Sequence, residues 1–131
     1  MEANPVVPSS ILSVRLSKLL SVHLSYTRYE CSSHSIPGSI LNTPGKTHGS
    51  PEDENRMVGD LGNIVADESG NCEVDIKGNK LVQLLGPHSV LGRSIVIYAG
   101  EDDQGRGGHE NSGTTGNAGP RIAAGVIGLS L

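Results

Sequence analysis

The chain has 131 residues, with 10 Lys and Arg against 14 Asp and Glu, 18 Gly, 3 Tyr and neither Phe nor Trp. That length predicts one domain. A net charge of −4 argues against a partner held through a phosphate backbone. Three scattered tyrosines cannot build a base-stacking platform, and no stretch nears the ~20 apolar residues of a membrane span. A core without Phe or Trp must come from Val, Ile and Leu, which suits β structure. Glycine and charge are unevenly spread: residues 1–42 hold only Gly38 and a charge of +1, while residues 43–131 hold 17 Gly and −5.

Residues 1–10, with Pro5 and Pro8, predict an unordered lead-in. Between residues 11 and 26, Leu12, Val14 and Leu16, then Leu20, Val22, Leu24 and Tyr26, alternate with polar residues. That period of two predicts strand, although Leu12, Leu16, Leu19 and Leu20 also fit a helical stripe. On this pattern His23 stands on the polar side and reads as a surface histidine.

Residues 43–63, TPGKTHGSPEDENRMVGDLGN, carry too much Gly, Pro and charge for regular structure and predict a long loop, usually functional in a compact domain. Its PEDEN run, with Arg56 after it, reads as a solvated face. Short alternating strands are expected at 64–67 and 72–76 around the turn from Glu68 to Asn71, then at 80–85 and 94–98. Residues 99–120 form a second long polar loop, and RIAAGVIGLSL closes the chain as an apolar strand. His88 and His109 fall in loops and read as solvated. Short strands with two long loops describe an all-β, antiparallel Greek-key sandwich or barrel.

Cys31 and Cys72 are too few for a disulfide scaffold and are expected as unpaired thiols. Glu2, Arg15 and Lys18 break any secretory pattern, so a cytoplasmic location is expected; the Ser-rich, acid-poor residues 1–29 have a faint organellar-transit character.

Two long polar loops in an aromatic-poor β chain find their explanation in the residues themselves. KTHGSPEDENRMVGDLGN resembles the zinc-binding loop of the copper/zinc superoxide dismutase family. EDDQGRGGHENSGTTGNAGPR resembles its charged active-site loop, and GNAGPRIAAGVIGL its C-terminal signature. The resemblance covers about two thirds of the chain, from Gly45 onward. It implies an eight-stranded Greek-key barrel, usually a homodimer, in which copper converts superoxide to oxygen and hydrogen peroxide while zinc holds the loops. The family's copper has four histidines, one of them bridging to zinc, and zinc has two more histidines and an aspartate.

Carried over residue by residue, His48 and Asp60 match zinc ligands. The third zinc histidine is Met57 here, and the bridging histidine is Ile40. Methionine sulfur suits copper(I) far better than zinc. The copper histidine before the charged loop is Tyr98. A gapless extension sets His23 on the first position of the family's His-x-His pair and Ser25 on the second. Arg121 matches the arginine that guides the anionic substrate, and a guanidinium suits a small oxyanion. Asp102 matches the aspartate that joins copper and zinc ligands through hydrogen bonds. Glu110 and Thr115 also match, while a family lysine is Thr114. The internal disulfide is absent by the same comparison, with Ala124 at one cysteine position and His34 near the other; such a loss costs roughly 2–5 kcal/mol.

The expected organisation is therefore a divergent segment over 1–42 and the C-terminal part of a dismutase-like domain over 43–131, from a truncated or diverged member. An open half-barrel would expose a strand edge and apolar surface. By ligand count zinc is held weakly or in part and copper is not held, so the family reaction is expected to be lost or strongly impaired. The alternative function is a non-enzymatic module that pairs with an intact dismutase, or one resembling the dismutase-like domain of the copper chaperone.

Overall fold

The computed structural model describes residues 18–28, 39–42, 45–77 and 79–130. It contains strands β1 (Lys18–Arg28), β2 (Asp60–Ala66), β3 (Arg93–Tyr98) and β4 (Arg121–Val126), with a one-turn helix α1 (Ser112–Thr115) between the last two strands. The strands form one antiparallel sheet in the order β2-β1-β3-β4. The connection from β2 to β3 crosses over β1, which lies between them in the sheet. Among the described residues the sheet is not closed on itself, and β2 and β4 are its edges.

β1 is the centre of this arrangement. Its apolar residues Leu20 and Val22 pack with Ile64, Ala66, Ile97 and Ala123. Leu24 packs with Leu41, Val58 and Val90. On its other face Ser21 and His23 are also buried, at 0% and 1% exposure. A strand with period-two patterning normally leaves its polar face to water. Here the loop over 45–59 and the loop over 99–120 roof that face. The surface reading of His23 is therefore corrected: alternation tells which side a residue takes, and says nothing of what covers that side.

Two irregularities in pairing decide which side chains reach the roofed face. Between β1 and β2 the register runs Ser21↔Asn63 and then His23↔Asp60, so β2 carries one extra residue. Gly62 stands at that point with φ +84°, the left-handed conformation a glycine bulge uses. The bulge reverses the alternation beyond it. Leu61 turns onto the apolar clusters and Asp60 joins His23. Between β3 and β4, Ile97↔Ala123 is followed by Tyr98↔Arg121, again one residue extra. Ile122 turns onto the apolar cluster, and Arg121 lies beside Tyr98.

Other sequence expectations are corrected. Residues 72–76 form no strand; Glu73 to Lys77 are exposed and have no ladder partner among the described residues. Residues 80–85 give only an isolated bridge from Gln83 to Ser89, with Leu84 and Leu85 exposed. Strand β2 begins at Asp60, four residues before the strand expected at 64. Arg56 is buried rather than solvated; its guanidinium donates to the Asp60 carbonyl and to Asn79 Oδ1. His88 is half-buried and has a partner, whereas His109 is exposed as expected. Cys72 is unpaired, packs against the apolar cluster and lies outside any strand. Cys31, His34 and residues 1–17 lie outside the described residues.

The open side of the sheet shows an apolar hollow of about 390 Å³ lined by Ile95, Ile97, Ala123, Gly125 and Ile127. This is the exposed apolar surface expected of an incomplete barrel.

Gly62→Ala should cost about 1–2 kcal/mol for the left-handed backbone alone. Its Cβ would also come 2.8 Å from Pro51 Cγ. Urea unfolding measures this against Val65→Ala, a strongly exposed position on the same strand expected to stay within about 0.5 kcal/mol of the parent.

Candidate metal centre

Beneath the two loops, four side chains form a closed ring. His48 Nε2–H donates to Asp102 Oδ1 at 2.6 Å, and His48 Nδ1 lies 2.8 Å from Asp60 Oδ1. His23 completes the ring, with Nδ1 3.7 Å from Asp60 Oδ1 and Nε2 3.8 Å from Asp102 Oδ2. All four residues are buried. The structure thus brings together the four sequence-predicted residues His23, His48, Asp60 and Asp102.

Backbone geometry holds each member. Asp60 Oδ2 accepts from the amides of Gly49 and Met57 at 3.0 and 2.9 Å, which leaves Oδ1 facing the histidines. Asp102 is tied to β2 by a reciprocal pair. Its amide donates to Asn63 Oδ1 at 2.8 Å, and Asn63 Nδ2 donates to its carbonyl at 3.0 Å. Asn63 and the Gly49 amide were missed as site residues in the sequence reading, although both lie inside the zinc-loop stretch that carries the resemblance. Gly116, at φ +64°, presses on the pair from α1's end. A Cβ there would collide with Asp102 Oδ1 and stand 2.6 Å from His48 Nε2.

The remaining predicted positions surround this ring. Ile40, Met57 and Tyr98 are all buried. The Tyr98 ring meets His23 edge-on at 5.0 Å between centroids. Its hydroxyl accepts from Arg121 Nε at 3.2 Å. Arg121, half-buried, is thus engaged with Tyr98. Glu110 and Thr114 are exposed and Thr115 half-buried on the outer loop, away from the ring.

A family model described as "Copper/zinc superoxide dismutase" matches residues 22–127. The chain belongs to the copper/zinc superoxide dismutase family. It is 58% identical to "Superoxide dismutase [Cu-Zn]" of Pleurocordyceps sinensis over 93 residues, or 71% of this chain and 60% of that protein. The proteins of that name from Talaromyces marneffei and Candida glabrata give the same identity and coverage. The chain spans about 60% of the length of the curated relatives it matches.

Family membership raises the question of which metals these residues fit. His23, His48 and Asp60 offer ligand atoms that all lie within 4.8 Å of one another. Both ring nitrogens of His23, with Asp60 Oδ1 and Asp102 Oδ2, are buried without a hydrogen-bond partner. Unsatisfied buried polar atoms of this kind are costly. Two imidazoles and a carboxylate suit a zinc-type cation. A four-imidazole copper sphere does not fit: the described residues bring only two histidines to the ring.

Without metal, the ring is held by charge. Burial would lower the His48 pKa, but the hydrogen bond to Asp102 and the contact with Asp60 override it and raise it from 6.5 to about 9. Burial would raise Asp60, yet the neighbouring imidazoles of His23 and His48 and the Gly49 amide bring it below its ordinary value. A raised histidine stabilises fully below its unfolded value and loses that contribution as pH rises through its folded value. Metal-free protein should therefore lose up to roughly 3 kcal/mol of stability between pH 6.5 and 9. Urea midpoints across that window check this; in His48→Gln the slope should vanish. Gly116→Ala should lower the midpoint at every pH, by at least the 1–2 kcal/mol or so of a strained left-handed residue.

Proposed function

We propose that this chain is a copper/zinc superoxide dismutase family protein that retains a zinc-type centre and does not perform the family's copper chemistry. The observation that carries this reading is Tyr98 at the end of β3. It stands where the family's copper histidine is expected, and its hydroxyl engages Arg121, the residue matched to the superoxide-guiding arginine. Dismutation needs a metal that alternately takes and gives an electron. Zinc has a filled d shell and no redox chemistry, so an ion held by His48 and Asp60 supplies folding energy and loop order, not turnover.

Within this reading superoxide is the family's substrate and not this chain's. A cytoplasmic location belongs to it as well, supported by the unpaired thiol of Cys72. No helix among the described residues is long and apolar enough to cross a membrane. A partner is part of the same proposal: a second copy, or an intact dismutase in a mixed dimer. The open sheet edges and the hollow beside Ile95, which is 39% exposed, favour association over a solitary monomer.

Purified full-length chain, incubated with copper and zinc and freed of excess ions, is the material for the test. Its consumption of superoxide should match that of the copper-free sample. Copper-dependent turnover that survives a chelator and falls in Arg121→Ala would show an active enzyme and end this reading.

A further inference from the structure

By resemblance, His23 belongs to the family's copper and His48 and Asp60 to its zinc. In this structure the ligand atoms of those three residues lie within 4.8 Å of one another. We propose that the chain holds one divalent cation where its family holds two, with His23 recruited as the third protein ligand beside His48 and Asp60. The proposal rests on the reading that the copper sphere is incomplete.

Three observations carry it. The first is which atoms are left free. Asp60 has spent Oδ2 on two backbone amides and turns Oδ1 toward Nδ1 of both histidines, at 2.8 and 3.7 Å. Ligands about 2.0–2.1 Å from a tetrahedral zinc sit about 3.3 Å from each other. The two separations bracket that value, so small shifts bring the atoms to it.

The second is how the rings are held from behind. Nε2 of His48 and Nε2 of His23 face the two oxygens of one carboxylate, Asp102, at 2.6 and 3.8 Å. A histidine that ligates through one nitrogen donates its other N–H to such an acceptor. Asp102 therefore leaves Nδ1 of both imidazoles turned toward Asp60 Oδ1.

The third is charge. With neutral imidazoles the buried ring carries −2, from Asp60 and Asp102. One divalent cation neutralises it. Two would leave a net positive charge in a dry interior, where the buried guanidinium of Arg56 already lies against the Asp60 carbonyl. Unpaired buried charge is strongly unfavourable. Ile40 and Met57 bring no anionic group that would accommodate a second ion.

The test uses cobalt(II) as the probe and the full chain, stripped of metal. Titration followed by visible absorption should end at one equivalent, with the intensity of a four- or five-coordinate site. Proton NMR of the cobalt form should show two exchangeable, paramagnetically shifted imidazole N–H signals, one from each histidine. This second measurement needs no variant. His23→Gln should weaken cobalt binding by more than the roughly 10- to 100-fold typical of losing a supporting partner behind a ligand, with Asp102→Asn inside that range.

Two equivalents bound, a single shifted N–H signal, no binding at all, or unchanged affinity in a folded His23→Gln would each overturn the proposal. None of these outcomes depends on superoxide turnover. The copper assay and the cobalt count therefore fail separately.

Discussion

Two carboxylates without water set the terms for this molecule. Asp60 and Asp102 are buried at 0% and 1% exposure, and a carboxylate in a low-dielectric interior persists only if positive charge or hydrogen bonds answer it. Much of the roofed face follows from that need. The Gly49 and Met57 amides converge on Asp60, the Asn63 pair fixes Asp102, and His48 spans the two. The two long loops are held to the sheet largely through these contacts, since they contribute few apolar side chains to the core. Met57 and Val58 of the first loop and Ala118 of the second are the exceptions: all three are buried, Val58 with Leu24 and Ala118 with Val96 and Tyr98.

The requirement could not be met by a regular sheet. In an unbroken ladder, Leu61 would stand beside His23 and Ile122 beside Tyr98, putting aliphatic groups on the polar face. Each bulge exchanges one residue across the sheet and so improves both layers at once. Leu61 and Ile122 go to the apolar side, and Asp60 and Arg121 come to the roofed side. Bulges are known to re-aim side chains near functional sites. Here the same device also tightens the core, so the polar centre and the apolar packing share two backbone positions. Gly59 adds a further constraint. Its amide donates to the Leu41 carbonyl, and its own carbonyl accepts from Leu24. A Cβ there would come 2.6 Å from the Leu24 carbonyl.

The sequence made some of this legible. Alternation from Leu20 to Leu24 and from Ser94 to Tyr98 predicts strands that exist, because both segments have neighbours on each side to complete their ladders. The same alternation over 72–76 predicted a strand that does not form. Among the described residues Glu73 to Lys77 have no ladder partner, and pattern alone cannot supply one. His23 was assigned to the surface for a related reason: a polar stripe is recognised by its residues, whereas its burial depends on loops dozens of positions away. The ring of His23, His48, Asp60 and Asp102 was readable only through the family motifs. A His and an Asp twelve residues apart, as His48 and Asp60 are, carry no signal without the bulge that aligns them.

The replaced positions complete the physical picture. Ile40, Met57 and Tyr98 are each at most 7% exposed. A histidine in any of them, without its metal, would carry a buried nitrogen lacking a partner, at about 1–3 kcal/mol each. Isoleucine and methionine remove that cost outright. Tyrosine removes it by giving its hydroxyl to Arg121. Two carboxylates alternate with two imidazoles around the ring, in which His48 bonds Asp102 while both nitrogens of His23 have no hydrogen bond. A chain that had merely lost ligands at random would leave isolated polar atoms scattered through this region. Of the eight buried side-chain atoms without a hydrogen bond among the described residues, five belong to the ring itself. The ring thus gathers two buried carboxylates and two imidazoles in one place. Its stability follows from the geometry of Asp60 and Asp102 rather than from the number of ligands left.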